Sequence, residues 1–558
     1  MGGAHKSRLA KAARCRITER LVARAISFDH IDSRALITLL IADMVQTTVR
    51  SNLEQIDVFV SQTIRRYISH AVAGTVDEFQ KPFDGAFLFA DISGFSGLAR
   101  RFADRGAEGA EHVIGMINTY FDPLIHILDE HGCDIISFAG DAVLTLLRGD
   151  DLTSVAMRAA SCGLTITNQL CDFQVAEDVR MSIRVSIGAG KLSTIALGDD
   201  INKQMMLVGP PLQQVRIADR HAQPGDVMLA PEVMALLDDQ VAAEPVGEAF
   251  VLRGIPQPPA ALPLSIVDLP AGEERRLREF VPPAVLSRID FGQTDWLAEL
   301  RRVSVAFLRL DGLESDKLDC GPALRSATDR IQAITTKFDG SLVHLLADDK
   351  GTLAIACFGI PPNGSESQAL RAVSATRAIV AHFRDEGTEC SAGIATGDMF
   401  CGLLGNTQRR CYTVFGDVVN LAARLMQSSE GEVLCDAATH AETMQETRYT
   451  RAPNHRIKSY DEPVPVFRAR IPGRSPSNLI GRQEALSTLN ETISRTMEGV
   501  PQTLIIEGEP GIGKSELVGE LIRRAAAQSL VTVAGAANNI DRLTPEVDPM
   551  RWTTGGLL

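Results

Sequence analysis

The chain of 558 residues is long enough for three or four domains, and its composition is that of an ordinary globular protein. Its net charge of −14 and the lack of a long basic stripe argue against a nucleic-acid-binding protein. The longest apolar run near the start, residues 35–45, contains Asp43 and is too short to span a bilayer, so we expect no transmembrane segment.

Residues 1–28 are rich in Arg and Lys, with Glu19 as the one acidic residue. This composition fits an organelle transit peptide or a membrane-touching arm, but a basic terminus that leads into a helix is the simpler interpretation. The ten cysteines include no Cys-x-x-Cys pair, which favours reduced thiols and a cytoplasmic protein. Peripheral association with a membrane or an organelle stays open.

Further along, apolar periodicity divides the chain into five parts. Helical spacing predicts a helical N-terminal extension over residues 1–79. A strand at 85–90, a helix at 108–130 and paired strands at 134–138 and 142–147 open an α/β domain over 80–255. A Pro-rich linker at 256–295 leads to a second α/β domain over 296–472, and a further module occupies 473–558.

The two α/β domains resemble copies of one another. Gly209 in Leu-Val-Gly-Pro-Pro matches Gly416 in Val-Phe-Gly-Asp-Val. The strand that carries Asp91 matches residues 303–310 and places Arg309 opposite Asp91. Similarly, Asp141 matches Lys350, so the first copy has acids where the second has bases.

Each copy lacks the candidate site residues that the other copy carries. The second copy has Asn420 and Arg424 four and eight positions after its glycine, whereas the first copy has Gln213 and Ile217 there. We therefore expect an internal pseudo-dimer with one working site and one degenerate site at the interface, and a single chain, a monomer, suffices to build it.

Asp91 and Asp141 are suited to divalent cations, because Mg²⁺ prefers oxygen ligands and often combines one or two carboxylates with substrate phosphates. An N-cap or turn role is the alternative for Asp91 alone. Asn420 and Arg424 share one helical face, and the planar guanidinium is suited to phosphate oxygens. For a single arginine, a solvated or salt-bridged helix position is the alternative.

These motifs resemble the class III nucleotidyl cyclases, specifically the soluble, bicarbonate-responsive adenylyl cyclases with tandem cyclase domains and a P-loop module. The resemblance covers roughly residues 80–520. It implies ferredoxin-like α/β domains and an adenylate cyclase that uses ATP with two Mg²⁺ (or Mn²⁺). It further implies that these residues form the site: Asp91, Asp141 and the backbone of Ile92 for the metals, Asn420 for the ribose, Arg424 for the transferring phosphoryl group, Lys458 for the triphosphate and Phe95 as a substrate contact.

Base selection in this family uses a residue pair, often Lys with Asp or Thr in adenylyl cyclases. Thr413 matches the second member, and its hydroxyl can accept from the adenine amino group. His344 stands at the lysine position; a neutral imidazole can donate to adenine N1, which favours ATP over GTP. A strand histidine that faces solvent is the equal alternative for His344.

The bicarbonate pocket of this family uses a lysine and an arginine of the first domain. Arg216 matches the arginine, and Ser137 stands at the lysine position. With one cation fewer, we expect weaker binding of bicarbonate or another small anion, so regulation by bicarbonate is not carried over.

A P-loop follows a predicted strand at 503–507, and its phosphate-binding residues are Gly508, Gly511, Gly513, Lys514 and Ser515. The 43 residues after Ser515 are too few for the remaining parts of an ATPase, so we expect a truncated module. Three hypotheses remain: an adenylate cyclase, a guanylate cyclase, and a catalytically silent scaffold that senses nucleotides or anions.

Overall fold

The computed structural model describes residues 55–93, 106–177, 179–270, 272–291, 299–313, 315–348, 351–364, 367–455, 463–471 and 483–507, together with some residues between 517 and 530. The chain divides into two compact units, Met1–Ile471 and Pro472–Leu558. Within the first unit lie two α/β lobes. We call residues 83–254 the front lobe and residues 299–469 the rear lobe.

A short helical segment precedes the front lobe and consists of α1 (Gln62–Ala73) and α2 (Val76–Phe79). The front lobe has these elements: β1 (Phe83–Ser93), α3 (Gly106–Glu130), β2 (Asp134–Ala139), β3 (Ala142–Arg148), α4 (Leu152–Leu170), β4 (Phe173–Ala176), β5 (Val179–Leu197), β6 (Gln204–Val208), α5 (Pro211–Asp219), β7 (Val227–Leu229), α6 (Pro231–Leu237), β8 (Ala242–Val246) and β9 (Ala249–Gly254). The strands and the helix predicted at 85–147 are confirmed.

The predicted linker contains two short helices, α7 (Glu274–Arg278) and α8 (Pro283–Asp290). The rear lobe follows with these elements: β10 (Glu299–Asp311), α9 (Gly321–Lys337), β11 (Gly340–Asp348), β12 (Gly351–Phe358), α10 (Gln368–Asp385), β13 (Cys390–Gly405), β14 (Arg410–Phe415), α11 (Asp417–Gln427), β15 (Val433–Cys435), α12 (Ala437–Thr443), β16 (Tyr449–His455) and β17 (Val464–Ala469).

Both lobes have the same sheet topology. The strand order is β2-β3-β1-β5-β7-β9-β8 in the front lobe and β11-β12-β10-β13-β15-β17-β16 in the rear lobe, and β6 and β14 each pair with the long strand β5 or β13. Apart from β4, which pairs with β5 and has no counterpart in the described part of the rear lobe, the second sheet repeats the first. The predicted α/β fold and the internal duplication are therefore confirmed.

The strand registers confirm one predicted equivalence and correct another. Asp91 pairs with Ala142 on β3 and with Arg184 on β5, whereas Arg309 pairs with Leu353 on β12 and with Ser391 on β13. Arg309 thus occupies the place of Asp91, as predicted. The residue before Leu353 is Thr352, so Thr352, and not Lys350, occupies the place of Asp141. The β11–β12 hairpin pairs as far as Asp348 and Gly351, two residue pairs beyond the point equivalent to the Ala139–Ala142 pair that closes the front hairpin, and a comparison of sequence alone does not detect that difference.

Each sheet carries its long helices on one face. In the front lobe, Ile117, Tyr120 and Leu124 of α3 pack with α4 and β1 in a fully buried core. On the opposite face lie α5 in the front lobe and α11 in the rear lobe, each against the two central strands of its own sheet. Burial on both faces explains why the middle of β1, residues 86–90, is a continuous apolar run.

The lobes exchange arms. The ends of β13 and β14 extend from the rear lobe, and Phe400, Leu404 and Phe415 complete the α3 core of the front lobe. The ends of β5 and β6 extend in the opposite direction, where Leu197 and Val208 complete the α9–α10 core of the rear lobe. Because each core contains apolar side chains of the other lobe, separating the lobes exposes both cores to water.

Hydrogen bonds at the arms follow the same reciprocal pattern. Asn118 of α3 donates to the Leu403 carbonyl oxygen over 3.3 Å and accepts from the Gly405 backbone N–H over 3.0 Å. At the equivalent place, Gln332 of α9 donates to Asp199 Oδ1 over 2.8 Å. Gln204 of β6 accepts from the Leu345 N–H over 2.9 Å. The arms thereby bring β6 beside β11.

Residues 55–79 and the linker helices form a third layer, which we call the brace. Ile64 and Ile68 of α1 pack with Leu277 and Val281 in one core that also includes residues of the rear lobe. The Arg410 N–H donates to the Val58 carbonyl oxygen over 2.6 Å. The brace thus contacts the arm of the rear lobe.

The second unit is described in part. It contains α13 (Gln483–Met497), of which Leu489 and Ile493 are buried. The predicted strand at 503–507 is wrong, because these residues form neither helix nor strand. A strand needs a hydrogen-bonded neighbour, and the described part of this unit contains none.

Two predictions from composition agree with the structure. No helix in the described ranges is long and apolar enough to cross a membrane. All nine cysteines that the structure describes are free thiols, as their spacing predicts.

A substitution at Gly393 tests how tightly α11 packs against the rear sheet. A Cβ atom at Gly393 would lie 2.2 Å from both the Ala422 carbonyl oxygen and the Met426 backbone nitrogen. We expect Gly393→Ala to lower the free energy of unfolding by about 1–3 kcal/mol or more, because α11 must shift. Urea denaturation followed by circular dichroism measures the change.

Gly115→Ala is the matched control. Gly115 lies on the exposed face of α3, and a Cβ atom there meets nothing within 4 Å. This variant should be neutral or more stable by up to about 1 kcal/mol, because alanine has the higher helix propensity. Equal stability of the Gly393→Ala variant and the wild type would contradict the tight packing of α11.

Candidate active site

Two carboxylates meet at the end of the front-lobe hairpin. Asp91 lies near the end of β1, and Asp141 lies in the turn between β2 and β3. The Ile92 backbone N–H donates to the Asp141 carbonyl oxygen over 3.2 Å, which ties the turn to β1. Antiparallel pairing thus brings together the predicted acidic pair, whose members lie 50 positions apart in the sequence.

Arg184 is a site residue that the sequence analysis missed. It lies opposite Asp91 on β5, and its Nε and one terminal nitrogen contact Asp91 Oδ2 at 2.9 and 2.6 Å. The same guanidinium lies 3.4 Å from Asp219 of α5. Only the register of β1 against β5 reveals this pairing. In the sequence, the apolar residues at 183 and 185 were the signal that Arg184 belongs to a buried strand.

Burial disfavours the charged form of both carboxylates and so raises their pKa values. Burial raises the pKa of Asp141 to about 7, and the nearby charge of Asp91 adds to the effect. Burial also raises the pKa of Asp91, although the Arg184 guanidinium opposes that shift. Two acids that repel each other in a buried turn are stabilised in their charged form by a cation, and here Arg184 is the nearest one.

The acids face a cavity of about 390 Å³ that both lobes line. Asp91, Asp141 and Arg184 contribute from the front lobe, and Leu345 and Leu353 contribute from β11 and β12 of the rear lobe. Arg216 and Ser137, the predicted anion-site positions, line the same cavity. The single cationic side chain of that pair, Arg216, thus lies in the same cavity as the acids.

The donor set fits a magnesium-type ion. The described residues contain no group of three or more His, Cys, Asp or Glu side chains that could form an all-protein cage. Two carboxylates in a cavity with room for water and phosphate oxygens is the arrangement that Mg²⁺ accepts, because it retains several non-protein ligands. Asp91 and Asp141 would hold the ion.

The predicted base-selecting residues lie on two rear-lobe strands. His344 lines a second cavity, which shares Ser137, Met205 and Leu345 with the first. Thr413 is buried on β14, where it pairs with Gly402. Burial lowers the pKa of His344 to about 4, so the imidazole is neutral near pH 7. His344 is half-buried by solvent accessibility, so the choice between base contact and a solvent-facing strand residue stays open.

Asn420 and Arg424 lie on the exposed face of α11, opposite its buried Leu421, Ala422 and Leu425. Arg424 donates to Gln427 Oε1 over 2.9 Å. They share a face, as predicted. Neither residue is among those that line the cavity of Asp91 and Asp141, so their approach to the acids stays a prediction.

The degenerate counterpart of the acid site carries its own cation. Arg309 is 5% exposed, donates to Asp311 over 2.7 Å and lies 3.4 Å from Ser391 Oγ. Its guanidinium stands where the front lobe has Asp91. A buried arginine at this place leaves no carboxylate pair in the rear lobe for a metal ion.

Several predicted residues lie outside the described residues. These are Phe95, Lys350, Lys458 and the P-loop residues Gly508, Gly511, Gly513, Lys514 and Ser515.

Comparison with known proteins decides the family. Residues 80–258 and 365–459 match the adenylate and guanylate cyclase catalytic domain. The chain carries two class III nucleotidyl cyclase domains. The interval between the matched segments includes β10, β11 and β12, the strands in which Arg309 and Thr352 replace the acids of the front domain. Residues 478–549 match the AAA ATPase domain, in agreement with the P-loop prediction.

The curated relatives are larger proteins. Adenylate cyclase type 10 of Rattus norvegicus is 27% identical over 499 residues, which are 79% of this chain and 31% of the relative. The Homo sapiens protein of the same name is 26% identical over 517 residues, which are 83% of this chain and 32% of the relative. This chain therefore spans about a third of the length of these relatives.

One solved structure aligns with both lobes at low similarity. It is a class III adenylyl cyclase-like ATP-binding protein from Pseudomonas aeruginosa, and it covers 65% of this chain and 85% of its own, at 12% identity and a TM-score of 0.46. At this distance, the alignment carries no argument about the site.

The neutral state of His344 predicts a pH effect on stability. Its pKa in the folded protein lies below the ordinary value of 6.5, so the unfolded chain binds more protons as the pH falls from 6.5 towards 4. The wild type should therefore lose stability in this window. In His344→Gln that contribution is absent, and the melting temperature of the variant should rise relative to the wild type as the pH falls.

Thermal melts of both proteins between pH 7.5 and 4.5 measure this difference. His112→Gln, on the exposed face of α3, serves as the control. A constant difference between wild type and His344→Gln across the range would show that the imidazole is not buried in its neutral form.

Proposed function

We propose that the protein is an adenylate cyclase that converts ATP to 3′,5′-cyclic AMP and pyrophosphate for intracellular signalling. The cavity of Asp91 and Asp141 carries this proposal, because the front-lobe acids and the rear-lobe strands β11 and β12 line it together. The family match of both domains supports it.

In the proposed reaction, the ribose 3′-oxygen attacks the α-phosphorus of the same nucleotide. A bond forms between these atoms, the bond from the α-phosphorus to the bridging oxygen of the β-phosphate breaks, and pyrophosphate leaves. The proton of the 3′-hydroxyl passes to solvent. Asp91, Asp141 and the backbone carbonyl of Ile92 would hold two Mg²⁺ ions, which would supply charge neutralisation at the phosphates and a lower pKa for the hydroxyl.

The remaining roles belong to side chains. Asn420 orients the ribose, and Arg424 stabilises the charge on the transferring phosphoryl group from the exposed face of α11. Lys458 and Phe95 contact the nucleotide. Positioning and charge stabilisation account for most of the rate in phosphoryl transfer, so the reaction needs no dedicated side-chain base.

The choice of ATP rests on the neutral imidazole of His344. With the proton on the nitrogen that faces the base, it donates to adenine N1, whereas N1 of guanine is itself a donor and would be opposed. Thr413 accepts from the adenine amino group. Guanylate cyclase activity is the competing outcome.

Removal of the proposed catalytic groups tests the proposal. Purified protein with ATP and Mn²⁺ or Mg²⁺ should form cyclic AMP, measured by chromatography, and should form less cyclic GMP from GTP. Arg424→Ala should lower the rate about 10²–10³-fold, because it removes one donor aimed at transition-state charge. Asp91→Ala should abolish product, because it removes a metal ligand.

Gln213→Ala is the control, since Gln213 is the exposed front-lobe counterpart of Asn420 and has no proposed role. This variant should retain the wild-type rate. No cyclic product from either nucleotide would refute both cyclase hypotheses and leave the sensing scaffold. A larger yield of cyclic GMP would refute the base assignment alone.

We further propose that a single chain suffices for activity and that Arg216 gives bicarbonate only a weak site. Repeating the assay with and without bicarbonate tests the second point, and the rate at several protein concentrations tests the first.

A further inference from the structure

A cavity of about 460 Å³ lies outside the cyclase cleft, where α1 of the brace meets β2, β3 and α4 of the front lobe and linker residues 262–265. Three arginines from three different elements line it: Arg66 on α1, Arg148 at the end of β3, and Arg158 on α4. None of the three makes an ion pair or hydrogen bond with a residue that the structure describes.

The surroundings of Arg148 and Arg158 are unfavourable for a guanidinium group. Burial and the neighbouring Arg66 guanidinium lower the pKa of Arg148 to about 10, although the Asp134 carboxylate partly opposes that shift. The Nε of Arg158 is buried, with no hydrogen-bond partner among the described residues. Buried polar groups in proteins are almost always satisfied, so the unpaired Nε of Arg158, in a cavity that two further arginines line, indicates a missing anionic partner.

The acidic side chains around the cavity do not supply that partner. Asp134 accepts from the Gln62 and Thr63 backbone N–H groups over 2.9 and 2.6 Å at the start of α1, and Asp84 contacts Lys191 Nζ at 2.8 Å. The other two acids of the lining, Glu78 and Asp150, are exposed at the surface. The arginines thus remain without carboxylates in contact.

The geometry also favours phosphate over a carboxylate. The Cζ atom of Arg148 lies over the Phe83 ring, 3.5 Å from the ring centroid, and this contact covers part of the guanidinium surface. Pairs of guanidinium N–H groups bind carboxylate and phosphate oxygens alike in a bidentate manner, so the number of cations decides between the two anions. Three such groups from three elements suit an anion with several oxygens and more than one negative charge.

We propose that this cavity binds a phosphate-bearing small molecule through Arg66, Arg148 and Arg158. The site is distinct from the cyclase cleft and joins three parts of the chain: the brace, the linker and the hairpin whose turn carries Asp141. It is independent of the proposed cyclase activity, since its binding is measured without turnover.

Binding is tested in the full chain with Arg216→Ala, Arg424→Ala and Lys514→Ala, in the presence of a chelator, so that the cleft and the P-loop do not contribute. Inorganic phosphate and pyrophosphate are titrated at constant ionic strength by calorimetry and thermal melts. Both should bind, and pyrophosphate should bind more tightly if a polyphosphate is the natural ligand; a preference for inorganic phosphate would identify a monophosphate instead.

In that parent, Arg66→Gln and Arg158→Gln should each weaken binding by at least roughly tenfold, because a hydrogen bond to a charged group is lost. Arg66→Gln should also raise the melting temperature of the ligand-free protein by relieving repulsion from Arg148, which a misfolded variant would not do. Arg253→Gln, at an exposed ion pair in the front lobe, is the matched control and should change neither quantity.

Failure of both anions to bind the parent would overturn the proposal. Undiminished binding in both the Arg66→Gln and Arg158→Gln variants would overturn it equally, because the anion would then lie elsewhere. A protein that forms no cyclic nucleotide but passes this test would refute the cyclase proposal and leave the anion site intact.

Discussion

The exchange of strand arms between the lobes is the interaction on which the cleft depends. Phe400, Leu404 and Phe415 of the rear lobe belong to the same buried core as α3 of the front lobe, and Leu197 and Val208 do the reverse. Neither lobe can bury its own helices fully without the other. The hydrophobic cost of separation therefore holds β6 beside β11, and the cavity that contains Asp91 and Asp141 acquires one rear-lobe wall.

The two lobes share one fold but carry different charged residues at equivalent points. At equivalent points of the two sheets, the front lobe has Asp91 paired to Arg184, and the rear lobe has Arg309 paired to Asp311. The front pair lines a cavity and includes Asp91, the proposed metal ligand. The rear arginine is almost fully buried, and its own lobe neutralises it. This difference is consistent with one active site in two similar domains.

Much of the fold was predictable, for a physical reason. A central strand that is buried on both faces is a continuous apolar run, and a turn between paired strands requires residues such as Gly140 and Asp141, so β1, β2, β3 and α3 follow from the local pattern. Repetition of that pattern predicted the second sheet. Register was not predictable: the β11–β12 hairpin extends past the point where its front-lobe counterpart turns, which moved the equivalent of Asp141 to Thr352, and the pairing of Arg184 with Asp91 arose from strand alignment alone. The strand expected at 503–507 also depended on neighbours that a local pattern does not provide.

By itself, the sequence determined which chemical groups are present. They are two acids 50 positions apart, an amide and a guanidinium four positions apart, and a histidine where a lysine was expected. Residue type and spacing are local properties, and they survive without a folded chain. The tertiary structure decided which charges meet. It paired Arg184 with Asp91, lowered the pKa of His344, and brought Arg66, Arg148 and Arg158 from three different elements to one cavity. Distance and dielectric environment set these interactions, and both exist only once the sheets and the brace have packed.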